Sequence, residues 1–406
     1  MTVKKFREVA VVGVGLHPWG VFPDRSMREM AVEAITEALA DAKMEWREIE
    51  SMVSGGYLWV SQREGMFGIL SGTAISSAMG GIGIPITSCA NACATGGAIF
   101  REAYLAVASG LHDTAIAVAA DKSAGGFFRP QSEDKEFDLD YIRYVMTGET
   151  NPAYWAMECV RRMNDIGTTE DDLAMVKVIT SKVAPANPKT RYKKAFSKEQ
   201  VLESPMVCTP LHLLEICATS DGAGAVILCD AEKARKYTDK PVLVDAAAIG
   251  SPTFGDHTIP LTYLSAYPRP GVGILTESRN AIAAVYKMSG RKPEDIDIIE
   301  LPDNSSWHYF AYLDCMLQAQ DGEAEKLLRS GKVDPVDGDL PVCPSGGLGA
   351  CGEAVVAQGL FQIYELVKQL RGEAGERQVK NNPKVGLAQT YGYAGNNAAC
   401  ILSKAW

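Results

Sequence analysis

Two cysteines stand four residues apart in "SCANACATGG" (88–97), among small residues and directly before a long helical pattern. A cysteine so placed can attack a carbonyl as its thiolate, or it can ligate a metal. Structural zinc normally takes four ligands, and Cys89-x-x-x-Cys93 has neither a second ligand pair nor a histidine cluster beside it, so no metal is assigned to this chain. Cys93 falls where the small residues give way to a helix expected over 94–109. Its sulfur then lies near a helix N-terminus, where the backbone dipole favours the nucleophilic thiolate. Cys89, four residues earlier at the end of a strand or turn, reads instead as a small buried side chain.

The composition fits a small-molecule enzyme. A chain of 406 residues can hold two domains or one large α/β unit. A formal charge of −10 argues against nucleic-acid binding, which needs a basic face to displace counterions. No apolar run approaches the roughly 20 residues that span a bilayer, and the N-terminus carries no secretory pattern, so a cytoplasmic location is expected. Ten cysteines without Cys-x-x-Cys pairs do not make a disulfide framework.

The elements that must position Cys93 repeat. Strand "VAVVGVG" (9–15) leads into a helix that opens at the capping box Ser26-Met-Arg-Glu29, followed by "WREIESMVSGG" (46–56). The same order returns in "PVLVDAAAIG" (241–250), "SRNAIAAVYKMSG" (278–290) and "PEDIDIIELPDN" (293–304). It continues where "ACATGGAIFREAYLAVASG" with strand "TAIAVAAD" matches "CGEAVVAQGLFQIYELVKQLRG" with strand "KVGLAQT". Two duplicated strand–helix halves, 1–236 and 237–406, are therefore expected, with sheets held between helices. An insertion at about 123–215, rich in aromatic and charged residues, interrupts the first half. "GVGLHPWG" lacks the Gly-x-Gly-x-x-Gly spacing and the following acidic residue of a dinucleotide loop.

The stretch Asn91-Ala-Cys-Ala-Thr-Gly96 resembles the nucleophile motif of thiolases, in the branch of sterol-carrier-protein and lipid-transfer-type thiolases. Four further stretches carry the same resemblance over nearly the whole chain: "FPDRSMREMAVEA", "SKEQVLESPMVCTPLHLLEICATSDGAGAVIL", "CPSGGLGACGEAVVAQG" and "AQTYGYAGNNAACIL". The resemblance implies two βαβαβαββ halves in a five-layered α-β-α-β-α fold, a homodimeric core, coenzyme A as co-substrate and carbon–carbon chemistry through an acyl-cysteine. It also implies an oxyanion hole made by the Cys93 N–H with Gly392 or Gly395.

Where the family has a histidine that activates the cysteine, this chain has Glu353. Where a second His or Asn usually falls it offers Pro302, Asp303 and Asn304, and its last loop shows Gln389, Thr390 and Tyr391 in place of a Cys or His. By the internal repeat, Glu353 is expected to begin the helix equivalent to the one at Cys93, so that base and nucleophile meet in one cleft. The expected catalytic set is Cys93, Glu353, Tyr391 and Asn304.

Lys189, Arg191, Lys193, Ser251 and His257 are candidate contacts to coenzyme A. Phe127, Phe128 and Arg129 suit an aryl acyl group bearing a carboxylate. The reaction implied is thiolysis of a 3-oxoacyl-CoA, with benzoylsuccinyl-CoA, cleaved to benzoyl-CoA and succinyl-CoA in anaerobic toluene breakdown, as the specific substrate. The alternatives are a retro-aldolase acting on a 3-hydroxyacyl-CoA and a non-catalytic acyl-CoA-binding subunit. Members of this branch often work with a small companion protein carrying a zinc ribbon and an OB fold, to which any zinc would belong.

Overall fold

The structure, a computed structural model, describes residues 6–56, 70–123, 151–253, 275–392 and 395–406. The first half runs β1 (Val9–Leu16), α1 (Met27–Asp41), β2 (Met52–Gly55), α2 (Ser71–Ala78), β3 (Ile86–Cys89), α3 (Thr95–Ala108) and β4 (Thr114–Lys122). An excursion follows through α4 (Asn151–Ile166), α5 (Glu170–Ser181), α6 (Lys198–Leu202) and the short pair β5 (Met206–Cys208) and β6 (Leu211–His212). The chain then returns to the sheet as β7 (Asp221–Asp230). The second half runs β8 (Val242–Gly250), α7 (Thr276–Ser289), β9 (Ile298–Glu300), α8 (Ser306–Met316), α9 (Glu323–Arg329), α10 (Gly347–Cys351), α11 (Gln358–Arg371), β10 (Val385–Gly392) and β11 (Asn396–Lys404).

The strands join in the order β3-β2-β4-β7-β1-β8-β11-β10-β9. Only Ala10 with Leu243 and Val11 with Val242 link β1 to β8, so the order falls into two units at that seam. Beyond β9, Val342 bridges to Ile299 and occupies the place that β3 holds in the first unit. Each half thus presents the same strand order, which is the duplication seen in the sequence. The chain has the five-layered thiolase fold: α1 covers the first unit, α3 and α11 lie between the units, and α7 with α8 covers the second.

Local sequence explains the elements. Ser26 caps α1 in a capping box, its Oγ accepting the Glu29 N–H at 3.2 Å while Glu29 Oε2 accepts the Ser26 N–H at 2.8 Å. The glycines of "VGVG" belong to helix–strand contact rather than to a nucleotide loop: a Cβ on Gly15 would fall 2.0 Å from the Ala34 carbonyl of α1.

The two middle helices touch through glycine. A Cβ on Gly359 would lie 2.3 Å from the Gly97 nitrogen, and one on Gly96 would lie 2.7 Å from the Gly359 nitrogen. Backbone meets backbone there, and no side chain can yield. Gly359→Ala is therefore expected to destabilise the fold by roughly 1–3 kcal/mol, the usual range for overpacking a core. Thermal or urea unfolding checks it, and an unchanged midpoint would contradict it.

The excursion packs on the second half. Arg162 of α4 is 2.6 Å from Asp314 of α8 and 2.6 Å from Glu325 of α9, all three buried. This clamp fixes α4 and α5 over the end of the second unit. No described helix is long and apolar enough to cross a membrane.

Candidate active site

Cys93 sits on a tight turn between β3 and α3. Thr95 Oγ1 accepts the Asn91 N–H at 2.7 Å and donates to the Ala92 carbonyl at 2.6 Å, while the Thr95 N–H reaches the same carbonyl at 3.0 Å. Ala92 is left-handed, at φ 48°. For a residue with a Cβ this costs roughly 1–2 kcal/mol, and here the turn bonds of Thr95 hold it. The result places Cys93 one residue before the N-cap Ala94, half-buried at the mouth of α3. Cys89 is also half-buried, and burial together with the Glu102 carboxylate pushes its thiol up and away from thiolate formation.

Glu353 is held by backbone on both sides. Its N–H donates to the Ala218 carbonyl at 2.6 Å, and its carbonyl accepts the Ser220 N–H at 2.8 Å. Gly352 has φ 74°, and a Cβ there would strike Ser220 Oγ at 2.2 Å, so glycine is required before this carboxylate on both counts. One expectation is corrected. Glu353 does not begin a helix: it is an extended bridge residue, and α11 starts five residues later at Gln358. Burial pushes the Glu353 carboxyl up to about 7, with Asp121 adding to the rise, against hydrogen bonds from Cys93, Asn304 and Cys217 that pull it down.

The structure thus brings Cys93, Glu353 and Asn304 together. Asn304 is buried on the loop after β9, and its carbonyl accepts the Cys217 N–H at 2.9 Å. Its neighbour Asp303 accepts the N–H groups of Leu348 at 2.7 Å and Gly349 at 3.1 Å, tying this loop to "GGLGACG". Gly392 meets the nucleophile turn directly. A Cβ there would lie 2.7 Å from the Asn91 carbonyl and 3.1 Å from the Cys93 nitrogen, so only glycine leaves room for an oxygen beside that N–H. Gly395 follows at φ 77°.

Tyr391 takes a different neighbourhood. Its hydroxyl pairs with that of Tyr154 at 3.0 Å, and its ring lies 5.6 Å from Tyr312 and 5.9 Å from His308 in the aromatic cluster under α4 and α8. Burial pushes the Tyr391 hydroxyl up, which keeps it neutral.

Lys189 and Arg191 hold the excursion to the body, while Lys193 bonds within it. Lys189 reaches the Leu16 carbonyl and Glu37, Arg191 the Thr219 carbonyl, and Lys193 the Asn187 carbonyl at 2.6 Å. Arg191 thereby touches the segment that straps Glu353. The Ser251 carbonyl accepts from Asn280 at 3.0 Å. Phe127, Phe128, Arg129 and His257 lie outside the described residues.

Cys217 had no place in the sequence reading, yet its thiol donates to Glu353 Oε2 at 3.7 Å. Nothing local signals this, because the contact spans more than a hundred residues. Among the described residues no three His, Cys, Asp or Glu side chains form a metal-sized cluster.

A family description, "Thiolase C-terminal domain-like", matches residues 267–404. An acetyl-CoA acetyltransferase of Methanothermobacter thermautotrophicus is 36% identical over 396 residues, 97% of this chain and 98% of that protein. Benzoylsuccinyl-CoA thiolase subunit BbsB of Thauera aromatica is 30% identical over 96% of both chains. Among solved structures, the Ltp2-ChsH2(DUF35) aldolase aligns at a TM-score of 0.79 and 24% identity, covering 98% of this chain and 97% of that one. Whole-length relatives at these identities, with a cysteine at the mouth of the middle helix, place the chain in the thiolase superfamily, in the branch that includes sterol carrier protein 2, as an acyltransferase with coenzyme A as co-substrate.

Proposed function

We propose that this chain is the catalytic subunit of a cytoplasmic thiolase that cleaves a 3-oxoacyl-CoA, with Cys93 as nucleophile and Glu353 as its base. The observation that carries the reading is the contact between the two: a half-buried thiol beside a buried carboxylate whose pKa stands near that of a physiological general base. Glu353 takes the Cys93 proton, and the thiolate attacks the 3-oxo carbon. The oxyanion formed there lies between the Cys93 N–H and the loop at Gly392 and Gly395. The bond between C2 and C3 breaks, C2 takes the proton that Glu353 holds and leaves as one acyl-CoA, and the restored carboxylate deprotonates an incoming coenzyme A, whose thiolate takes the acyl group while the proton returns to Cys93.

An aryl 3-oxoacyl-CoA of the benzoylsuccinyl kind is the substrate that the BbsB relative favours, with Phe127, Phe128 and Arg129 as its acyl contacts. Ser251 and His257 are kept as candidate contacts to coenzyme A, whereas Lys189, Arg191 and Lys193 are engaged by the protein itself. Ten thiols without a disulfide suit a reducing compartment.

Two partners complete the proposal. Among the described residues strand β3 is the outer edge of the sheet, with Thr87 and Ser88 exposed, and such an edge beside the nucleophile turn suits pairing with a second copy. The solved neighbour is titled as a pair with a DUF35 protein, and BbsB is named a subunit. A small zinc-ribbon and OB-fold companion is the matching partner here.

Intact-mass analysis after mixing with aryl and short-chain 3-oxoacyl-CoA candidates tests the reading. A single acyl adduct that disappears on adding coenzyme A is expected. Cleavage without an adduct would point to a retro-aldolase, and binding without cleavage to a non-catalytic subunit.

A further inference from the structure

The segment that carries Glu353 is fixed at its front end by the backbone bonds to Ala218 and Ser220. Its far end needs a second anchor, because the chain makes a single tight turn over Val355–Ala357 before α11 begins, and Ala354 has no side chain to cap that turn. Asp121 supplies the anchor. This residue lies near the end of β4, fully buried and paired with Gly222 of β7, two residues beyond Ser220. From there its Oδ2 accepts the Val356 N–H at 3.3 Å, while its Oδ1 accepts the Lys122 N–H at 2.7 Å.

We propose that Asp121 is a positioning residue of the reaction, a second buried carboxylate that anchors the Glu353 segment at Val356 and acts on Glu353 through its charge. None of its surface is exposed, so it works through Glu353 and not on the substrate. Glu353 is thus gripped from both sides of β7: its own backbone meets the lead-in at 218–220, and three residues later Val356 meets the neighbouring strand β4.

Two carboxylates in one buried site do not ionise together. Burial pushes the Asp121 carboxyl up to about 6, against hydrogen bonds from Ser123, Lys122 and Val356, with the Asp221 charge adding to the rise. Glu353, at about 7, ionises after it. Asp121 therefore already carries its charge over the pH range in which Glu353 titrates, and a like charge there makes Glu353 the stronger base. That strength serves the reaction, since a carboxylate of ordinary acidity holds a thiol proton too weakly to be an effective general base. Cys93 and Cys217 also face Glu353, and Asp221 faces Asp121, with the Lys122 ammonium 3.2 Å from Asp221.

This inference rests on the thiolase reading, and two titrations of the full-length protein keep the two apart. Difference infrared spectroscopy follows protonated carboxyls directly, and the band that Glu353→Gln removes, in native and Asp121→Asn backgrounds alike, belongs to Glu353. The acid limb of thiolysis reports the base at work. Asp121→Asn keeps the shape and loses the charge, so the Glu353 band is expected to titrate roughly half a unit to one unit lower than in native protein. The acid limb of kcat should move down by the same amount, while KM for the acyl-CoA stays within about twofold of native. Asp121→Ser is also uncharged and should give the same downward shift, which covers the case in which the asparagine variant does not fold. A Glu353 band that stays in place or rises in a folded variant would overturn the proposal. So would a rate lowered equally at every pH, which is what a purely structural anchor gives. A band that moves down while the acid limb of thiolysis stays where it was would support Asp121 in this role and instead overturn Glu353 as the base.

Discussion

Iodoacetamide is expected to alkylate Cys93 before any other cysteine and to abolish thiolysis as it does so. The turn at Ala92 exposes this thiol at the start of α3, where the helix dipole stabilises the thiolate. Of the other nine cysteines, six are buried. Cys89 is half-exposed, yet burial and Glu102 keep it protonated, so it should label much more slowly. Cys217 is held back in the same way by burial with the Glu353 charge, and Cys208, also half-buried, sits at the end of β5 rather than at a helix N-terminus. Peptide mapping after partial labelling reads the order, and thiolysis measured on the same samples should fall in step with Cys93 occupancy. Cys93→Ala should show no acyl adduct and no turnover, whereas Cys89→Ser should keep most activity. Equal labelling of Cys89 and Cys93, or turnover by Cys93→Ala, would remove Cys93 from its role.

Much of the fold was legible because its signals are local or periodic. The box Ser26-Met-Arg-Glu29 announces α1, and α3 and α11 follow from apolar patterns that repeat in the two halves. The duplication carried the architecture, since one half predicts the other. It also misled at one point. Aligning "ACATGG" with "CGEAVV" places Glu353 at a helix start, but α11 does not begin until Gln358 because residues 352–354 run extended against 218–220 instead. A pairing between two loops has no periodicity, so the repeat could not reveal it.

The site shows the same division. Cys93 was readable from its neighbours, because small residues before a helix are a local cue. That Gly392 abuts the Cys93 nitrogen, and that Cys217 faces Glu353, depends on strands brought together from opposite halves. The basic run Lys189, Arg191 and Lys193 illustrates the reverse case. Charge in a loop reads equally as ligand contact or as support, and the structure finds these side chains bonded to backbone carbonyls of the protein itself.

Glu353→Gln is expected to lower turnover by about 100-fold or more, the scale of losing a general base, while acyl-CoA affinity changes little because the amide keeps the shape. The pH dependence fixes the cause. With its carboxyl pushed up to about 7 by burial, Glu353 is a base only above that pH, so native thiolysis should rise as pH passes upward through 7. The Gln variant should lose that rise, and Glu353→His should recover part of the rate, with an ordinary pKa near 6.5.

Stability should move the other way. A carboxyl whose folded pKa exceeds its unfolded value favours the fold below the unfolded pKa, and that advantage drains away as pH climbs through the folded pKa. Above pH 7 native protein carries a buried charge that the amide lacks, so Glu353→Gln should be the more stable protein there, by on the order of 1 kcal/mol or more. Below about pH 4.5 the difference should vanish. Urea titrations at pH 4.5 and pH 8, beside thiolysis rates at both, read the two effects together. A Gln variant that turns over at the native rate, or loses activity because it is less stable at pH 8, would show that the carboxylate is a structural bridge and not the base.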